Sequence, residues 1–194
     1  MQFTLKKSKR KSVSLEILKD GSLLVHSPLF FTEKDAERFI EKNKPWIDKH
    51  LPGIIHKNSV FSSLSREDEK LARGYAKKLF SAITNEYATV MGVFPKRITV
   101  TSAEKRFGSC SGDNAICYSW RLMYYPIDAI RYVCVHELSH IKEHNHSARF
   151  HSTVNQYISE DFEKLLKPEN VNKSNFEENI KILNRIMFDE NLQE

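Results

Sequence analysis

The chain has 194 residues, of which 40% are hydrophobic and 28% charged, and its net charge is +5. This composition is typical of a soluble globular protein and argues against a disordered chain; no segment approaches the roughly 20 apolar residues of a membrane helix. The N-terminus is charged without an apolar stretch behind it, so no signal peptide is predicted. Without an export signal, the three cysteines (Cys110, Cys117 and Cys134) indicate reduced thiols in a cytoplasmic protein.

A β-hairpin followed by a helix is predicted at the start of the chain. Apolar and polar residues alternate over residues 13–17 and again from Leu23, with the turn signal Asp20-Gly21 between them. A helix opens at Thr32 and is predicted to end near residue 53. Residues 53–64 show little periodicity and are predicted to be a linker.

The rest of the chain is predicted to be mostly helical, with two strands. A long amphipathic helix runs from Ser65 to about Met91, opened by a capping box with Asp68 and ended by Gly92. The following elements are a strand at 97–101, a polar loop at 106–114, a strand at 116–122, a helix from Pro126 to about Glu143, and helices at 147–158 and 176–188.

The most informative passage is the HExxH pattern formed by residues 136–140, which is typical of zinc-dependent hydrolases. Positions i and i+4 of a helix lie on the same face, so His136 and His140 can bind one ion. Glu137 is rotated away from that row. It can reach a water bound to the metal and take its proton. The alternative is a pair of surface histidines on an ordinary helix.

Helix geometry helps to choose a third ligand. His144 continues the row, but at a rise of about 1.5 Å per residue it lies roughly 12 Å from His136 along the axis. Zinc–nitrogen bonds are about 2.0–2.1 Å, so one straight helix cannot supply all three ligands. His146 fits a chain that turns at Asn145, a residue that tolerates the left-handed conformation found at helix ends. We rank His146 ahead of His151, and His151 ahead of His144.

The polar loop before the last strand is a candidate substrate contact. The side chain of Arg106 and the amides around Ser109 can bind an anion or a substrate carbonyl, or the loop can be a structural turn. Cys110 is interpreted as a structural thiol rather than a nucleophile. Trp120 and Arg121 are predicted to lie on the strand and to point to opposite faces, so that one of them faces the site or, alternatively, Trp120 is in the core and Arg121 exposed.

Several separated motifs occur in a characteristic order. They are Arg10-Lys11-Ser12-Val13-Ser14, Asp20-Gly21, Lys44-Pro45-Trp46-Ile47, Arg106-Phe107-Gly108-Ser109-Cys110-Ser111, Tyr118-Ser119-Trp120-Arg121-Leu122, Pro126-Ile127-Asp128, the HExxH residues, and Asn145-His146-Ser147 with Phe150. In this order they resemble the YgjP-like metallopeptidase family, relatives of SprT-like zinc proteases. The resemblance covers about residues 8–165. The chain departs from the usual pattern at Phe107, where Trp is common, and at Phe150-His151, where Phe-Trp is frequent.

The resemblance implies an α+β, zincin-like fold. A small β-sheet would accompany the HExxH helix and a long backing helix, after an N-terminal β-hairpin. It also implies that His136, His140 and His146 hold one zinc ion, with Glu137 as catalytic acid/base. We therefore divide the chain into a hairpin and helix at 1–53, a catalytic core at 54–166 and a helical extension at 167–194.

The leading functional hypothesis is a zinc-dependent hydrolase that uses a metal-bound water activated by Glu137. By resemblance the substrate is a peptide. The alternative is a nucleoside triphosphate, because the basic hairpin and Arg106 offer phosphate contacts. A third hypothesis is a non-catalytic, zinc-stabilised domain that binds nucleic acid through residues 6–11. No membrane partner is expected, another divalent metal remains an alternative to zinc, and nothing in the sequence indicates an oligomeric state.

Overall fold

The computed structural model describes residues 2–190, without the side chains of residues 160, 189 and 190. The chain forms two compact units, one up to Ser62 and the other from Ser63 onward. Both contain a three-stranded sheet and α-helices, so the mixed α+β class is confirmed. Within the described residues, no helix combines the length and apolar character needed to cross a membrane.

Unit 1 consists of three strands and two helices: β1 (Phe3–Ser8), β2 (Ser14–Ile17), β3 (Leu23–Pro28), α1 (Glu33–Lys42) and α2 (Lys44–Ser62). The predicted hairpin is confirmed: β2 pairs with β3 in antiparallel register, and Gly21 in the turn has a φ of 85°. Strand β1 was not predicted. It pairs with β3 in parallel, so β3 lies in the centre of the sheet.

The prediction of a single helix ending near residue 53, followed by a linker, is wrong. The first helix ends before Asn43, and α2 continues through Pro52 to Ser62. Tertiary packing overrides the helix-breaking signal, because Ile47 and Gly53 are buried and Leu51 packs against the core of the unit. The boundary predicted between residues 53 and 54 therefore falls inside a helix.

Unit 2 begins with α3 (Arg66–Met91) and contains β4 (Arg97–Thr101), β5 (Gly108–Cys110) and β6 (Ala115–Ser119). A 3-10 turn at Trp120–Tyr124 leads to α4 (Ile127–Ser139) and α5 (Ala148–Tyr157), and 3-10 turns at Glu160–Leu166 and Pro168–Asn170 lead to α6 (Lys173–Glu190). The long α3 begins and ends as predicted. Ser65 caps it in a capping box with Asp68, and Gly92 ends it with a φ of 64°.

The core of unit 2 places α4 against α3 and the second sheet. In this sheet β6 is central, parallel to β4 and antiparallel to β5. Fully buried side chains that hold these layers together include Leu79, Phe80, Ile116, Tyr118, Leu122 and Ile130. The C-terminal helix belongs to the same unit, since the buried amide of Asn179 on α6 donates to the carbonyls of Met123 and Tyr125 at 2.9 Å each.

Candidate metal centre and active site

Helix α4 carries His136 and Glu137 in its last turn and ends at Ser139, with His140 as its C-cap residue. The sequence prediction that this helix continues to Glu143 is wrong. The N–H of Glu143 still donates to the carbonyl of Ser139 at 2.9 Å, which closes a tight turn directly after the helix. Asn145 is not left-handed either, since Asn114 is the one non-glycine residue with positive φ among the described residues.

This turn brings three histidines together. His136, His140 and His146 each offer one ring nitrogen, and these three atoms lie within 4.8 Å of one another. The Nε2 atoms of His136 and His146 are 3.1 Å apart. His144 is exposed and lies outside this cluster, as the helix-rise argument anticipates. His151 lies farther out, with its ring centroid 6.3 Å from that of His146.

The three imidazoles fit a zinc ion by their chemistry and spacing. Two nitrogens that bind one tetrahedral zinc at about 2.1 Å are about 3.4 Å apart, close to the 3.1 Å between His136 and His146. The Nδ1 of His140 donates to the carbonyl of Glu143 at 3.1 Å. This hydrogen bond fixes the tautomer, so the lone pair on Nε2 remains available for a metal.

Burial keeps His136 and His140 neutral. The pKa of His136 falls to about 4, because burial disfavours its charged form and the neighbouring histidines add a smaller repulsion. The pKa of His140 is lowered as well, mainly by burial, whereas its hydrogen bond to the carbonyl of Glu143 acts in the opposite direction. A neutral imidazole is the form that binds a metal, so protons compete weakly for these two side chains near neutral pH.

Glu137 is almost completely buried next to the histidines, with 5% of its surface exposed. Burial raises the pKa of its carboxyl group to about 7, while the charge of Arg106 and a hydrogen bond from the backbone of Cys110 act in the opposite direction. Its Oε2 atom is buried and has no hydrogen-bond partner within the described part of the chain. An acid/base with a pKa near neutrality and an unused oxygen is suited to proton transfer.

Gly108 makes room for this carboxylate, a role that sequence reasoning missed. A Cβ atom at residue 108 would lie 2.6 Å from Oε1 of Glu137 and 2.7 Å from its Cγ, closer than van der Waals contact allows. Only a glycine therefore fits here without displacing Glu137. The sequence signal was the glycine inside a segment interpreted as a loop, which the structure shows to be the start of β5.

Phe150 forms the floor of the histidine cluster. It is fully buried on α5, and its ring centroid lies 4.8, 4.5 and 4.7 Å from those of His136, His140 and His146. The aromatic ring limits the orientations of all three imidazoles. Its contact with the cluster was not predicted from the sequence, although Phe150 was part of the motif.

Residues 53–166 match the family model for the YgjP-like, metallopeptidase domain. The chain belongs to this family. The match covers more than half of the chain and includes every residue of the cluster described above. No curated protein and no solved structure matches this YgjP-like chain. Membership of a metallopeptidase family, together with three clustered histidines, supports a metal-dependent hydrolase.

The other candidates in the YgjP-like chain separate into those near the carboxylate and those away from it. Arg106 is exposed and acts on Glu137 through its charge. Ser109 is half-buried on β5 and lies opposite Cys117 of β6. Strand alternation directs its side chain away from the face that Gly108 presents to Glu137. Burial and the Glu137 charge raise the pKa of the Cys110 thiol, which makes it a poor nucleophile.

The prediction that Trp120 and Arg121 lie on a strand is wrong, because both belong to the 3-10 turn after β6. Trp120 is buried and its Nε1 donates to Ser102. Arg121 donates to the carbonyl of Ser102, pairs with Glu104 and stacks on Trp120 at 4.6 Å. Neither residue lines the cleft at the histidine cluster.

A cleft of about 970 Å³ opens beside His136 and Glu137. Its lining is partly apolar and partly charged, and consists of Phe107, Gly108, Tyr132, Val133, His136, Glu137, His151, Asn155, Asp161, Glu163, Lys164, Leu166, Lys167 and Pro168. The volume is within the range of sites that hold small molecules or a few residues of a peptide.

Proposed function

We propose that this protein is a zinc-dependent peptidase of the zincin type. In this proposal His136, His140 and His146 hold one zinc ion, and Glu137 is the catalytic acid/base. The observation that carries it is the burial of Glu137 beside the histidine cluster, with one carboxylate oxygen unpartnered. A purely structural metal site has no use for such a carboxylate.

The chain's own residues divide the chemistry between them. When bound by the three histidines, zinc would supply Lewis acidity to polarise the substrate carbonyl and acidify a water molecule. Glu137 accepts the proton of that water and returns it to the amine leaving group. The backbone of Cys110 and the space left by Gly108 hold the carboxylate in place. Arg106 adds positive charge close to the reacting groups.

The position of β5 favours a peptide as the substrate. This strand forms one edge of its sheet and contacts Glu137 through Gly108. On its inner side, the carbonyl of Phe107 accepts from Ser119 and the N–H of Ser111 donates to Ala115. Since alternate residues point to alternate edges, Gly108 and Cys110 direct their backbone groups outward. The N–H of Cys110 already donates to Glu137, so the backbone of Gly108 and the carbonyl of Cys110 are the groups proposed to pair with a substrate. A substrate in extended conformation can pair with this edge and pass the acid/base, as in β-strand addition.

The proposal is tested with full-length, zinc-loaded protein and a fluorogenic casein. Glu137→Gln keeps the shape of the side chain but removes the base, so we expect at least a 100-fold loss of turnover with one zinc per chain retained. Glu86→Gln, an equal change at an exposed position on α3, controls for the loss of one carboxylate and keeps full activity. Casein hydrolysis that survives in Glu137→Gln contradicts the assignment.

The alternative substrate is a nucleoside triphosphate. Two cations favour it: Lys167 lines the cleft, and Arg106 lies close enough to affect the pKa of Glu137. A nucleotide panel with detection of phosphate and pyrophosphate is therefore run beside the casein assay. Nucleotide hydrolysis that depends on Glu137, without any peptide cleavage, contradicts the peptidase proposal and supports the phosphohydrolase.

A further inference from the structure

All of the net positive charge of the chain belongs to unit 1. Residues 1–62 contain 12 Lys and Arg against seven Asp and Glu, whereas the remaining residues contain 18 of each. Five of these cations lie within residues 6–11, and residues 1–11 contain no acidic side chain. A charge difference of this kind between two parts of a chain indicates a polyanionic partner for the basic part.

The fold joins this basic run to an exposed aromatic ring. Strands β1 and β3 are parallel and in register, with Ser8 opposite Pro28. Neighbouring strands are about 4.8 Å apart, so the chain leaves both strands at the same end of the sheet. Lys9, Arg10 and Lys11 follow β1, and Leu29 and Phe30 follow β3. Cations and apolar side chains thereby emerge side by side.

The aromatic residue is held outward by a structured turn. Phe30 is 84% exposed and Leu29 is 61% exposed. The N–H of Phe31 donates to the carbonyl of Pro28, and Thr32 begins α1 in a capping box with Asp35. The ring is therefore presented to solvent by ordered backbone on both sides, where a planar group can stack on it.

We propose that this end of the first sheet, comprising residues 6–11 with Leu29 and Phe30, binds single-stranded nucleic acid. Lysine and arginine side chains contact the phosphates, and a base stacks on Phe30. Proteins that bind single strands combine these two elements, a cationic track and an exposed aromatic ring. A lipid surface is disfavoured as the partner, because stable anchoring takes an amphipathic helix or a lipid chain. This end of the first sheet offers only a loop and a turn with two apolar side chains.

The charge contribution is measured by fluorescence anisotropy with labelled 20-nucleotide oligo-dT and oligo-U and the full chain. The triple variant Lys9→Ala, Arg10→Ala, Lys11→Ala removes three phosphate contacts, so we expect a salt-dependence slope smaller by about 2 and at least tenfold weaker binding at low salt. The control Lys70→Ala, Lys77→Ala, Lys78→Ala makes the same charge change on α3, where all three lysines are exposed. Equal losses in both triple variants overturn the proposal.

The stacking contribution is measured with substitutions of Phe30. Phe30→Leu keeps an apolar side chain but removes the ring, so oligonucleotide affinity falls roughly 5- to 100-fold with an unchanged salt slope, and Phe30→Trp retains binding. Phe94→Leu, at an aromatic residue of unit 2 that is 71% exposed, is the control and has no effect. Equal affinity of Phe30→Leu and wild type overturns stacking. Binding to phosphatidylserine vesicles without binding to either oligonucleotide overturns the proposal in favour of a membrane.

Discussion

The two sheets have the same topology and register but carry different chemistry. In each, the third strand of the group is central, parallel to the first strand and antiparallel to the second. Even the pairing positions correspond: Ser14 lies opposite the fourth residue of β3, and Gly108 lies opposite the fourth residue of β6. In the second sheet the edge strand contacts Glu137 through Gly108, whereas the first sheet pairs Glu16 with His26 at 3.4 Å.

The arrangement of strands therefore does not decide where the chemistry occurs. What distinguishes the second sheet is a missing side chain at one edge position and a helix that ends next to it. Net charge separates the two units as well, since the residues of unit 2 are neutral in sum and unit 1 carries the excess. Four changes to the protein test this contrast between the two units.

Phe150→Ala should destabilise unit 2 most. Removing a fully buried ring leaves a cavity beneath the three histidines, and such a change costs about 3–5 kcal/mol. We expect a matching loss in chemical denaturation and weaker zinc binding. Hydrogen exchange in peptides from β1 to β3 should stay at the wild-type level. Faster exchange there would mean that the stabilities of the two units are not separate.

Removal of the metal should cause the next largest loss of stability in unit 2. A ligand present at 1,000 times its Kd stabilises the folded state by about 4 kcal/mol, and the three ligand candidates lie in unit 2. A chelator, or His146→Ala, is therefore expected to increase exchange in α4 and α5 and to leave unit 1 unchanged. His144→Ala is the matched control and should retain zinc by elemental analysis. Loss of zinc in that variant contradicts the ligand assignment.

Gly108→Ala should remove activity with a small effect on stability. The new Cβ displaces the carboxylate of Glu137, and we expect about a 100-fold loss of kcat, equivalent to about 2.7 kcal/mol, with zinc retained. Adding Glu137→Asp shortens the acid by one methylene and should restore part of that loss. Ser14→Ala, the corresponding position of the first sheet, should leave kcat unchanged. No rescue by Glu137→Asp would count against the steric explanation.

Substitutions at the helix caps should cause the smallest losses of stability, of similar size in the two units. Thr32→Ala and Ser65→Ala each remove the hydroxyl of a capping box, one per unit, and leave its backbone half in place, at a cost of about 1 kcal/mol. The hydrogen bonds from Thr32 and Ser65 lower the pKa of Asp35 and Asp68 below its usual value. The ionised carboxylates of Asp35 and Asp68 therefore stabilise the folded state above a pH of about 3.8. This stabilisation is lost as the pH falls through the lowered pKa. Denaturation at pH 7 and at pH 2.5 checks this: the cost of each substitution should be smaller in acid.

Local signals in the sequence were sufficient for the elements they govern. Ser65 and Gly92 marked both ends of α3, and Asp20-Gly21 marked the hairpin turn. The rise of a helix per residue was enough to separate His146 from His144 as the third ligand candidate. These features depend on residues close together in the chain, where capping, turn chemistry and periodicity act directly.

The features that were missed depend on residues far apart. Strand β1 is defined by pairing with β3 and not by its own pattern, since basic residues fill its second half. α2 continues past Pro52 because its apolar face packs on the sheet. Gly108 has a role only because Glu137 approaches it from a helix 29 positions later. No local propensity carries that information.

The hydrogen bonds of Asn179 have a consequence for the order of events during synthesis. Its amide anchors two carbonyls of the segment that leads into α4, but it is made 56 and 54 residues after them. While that part of the chain is still being translated, Met123 and Tyr125 have no such anchor. The segment that leads into α4 therefore gains these two hydrogen bonds only after residue 179 has been synthesised, late in the translation of unit 2.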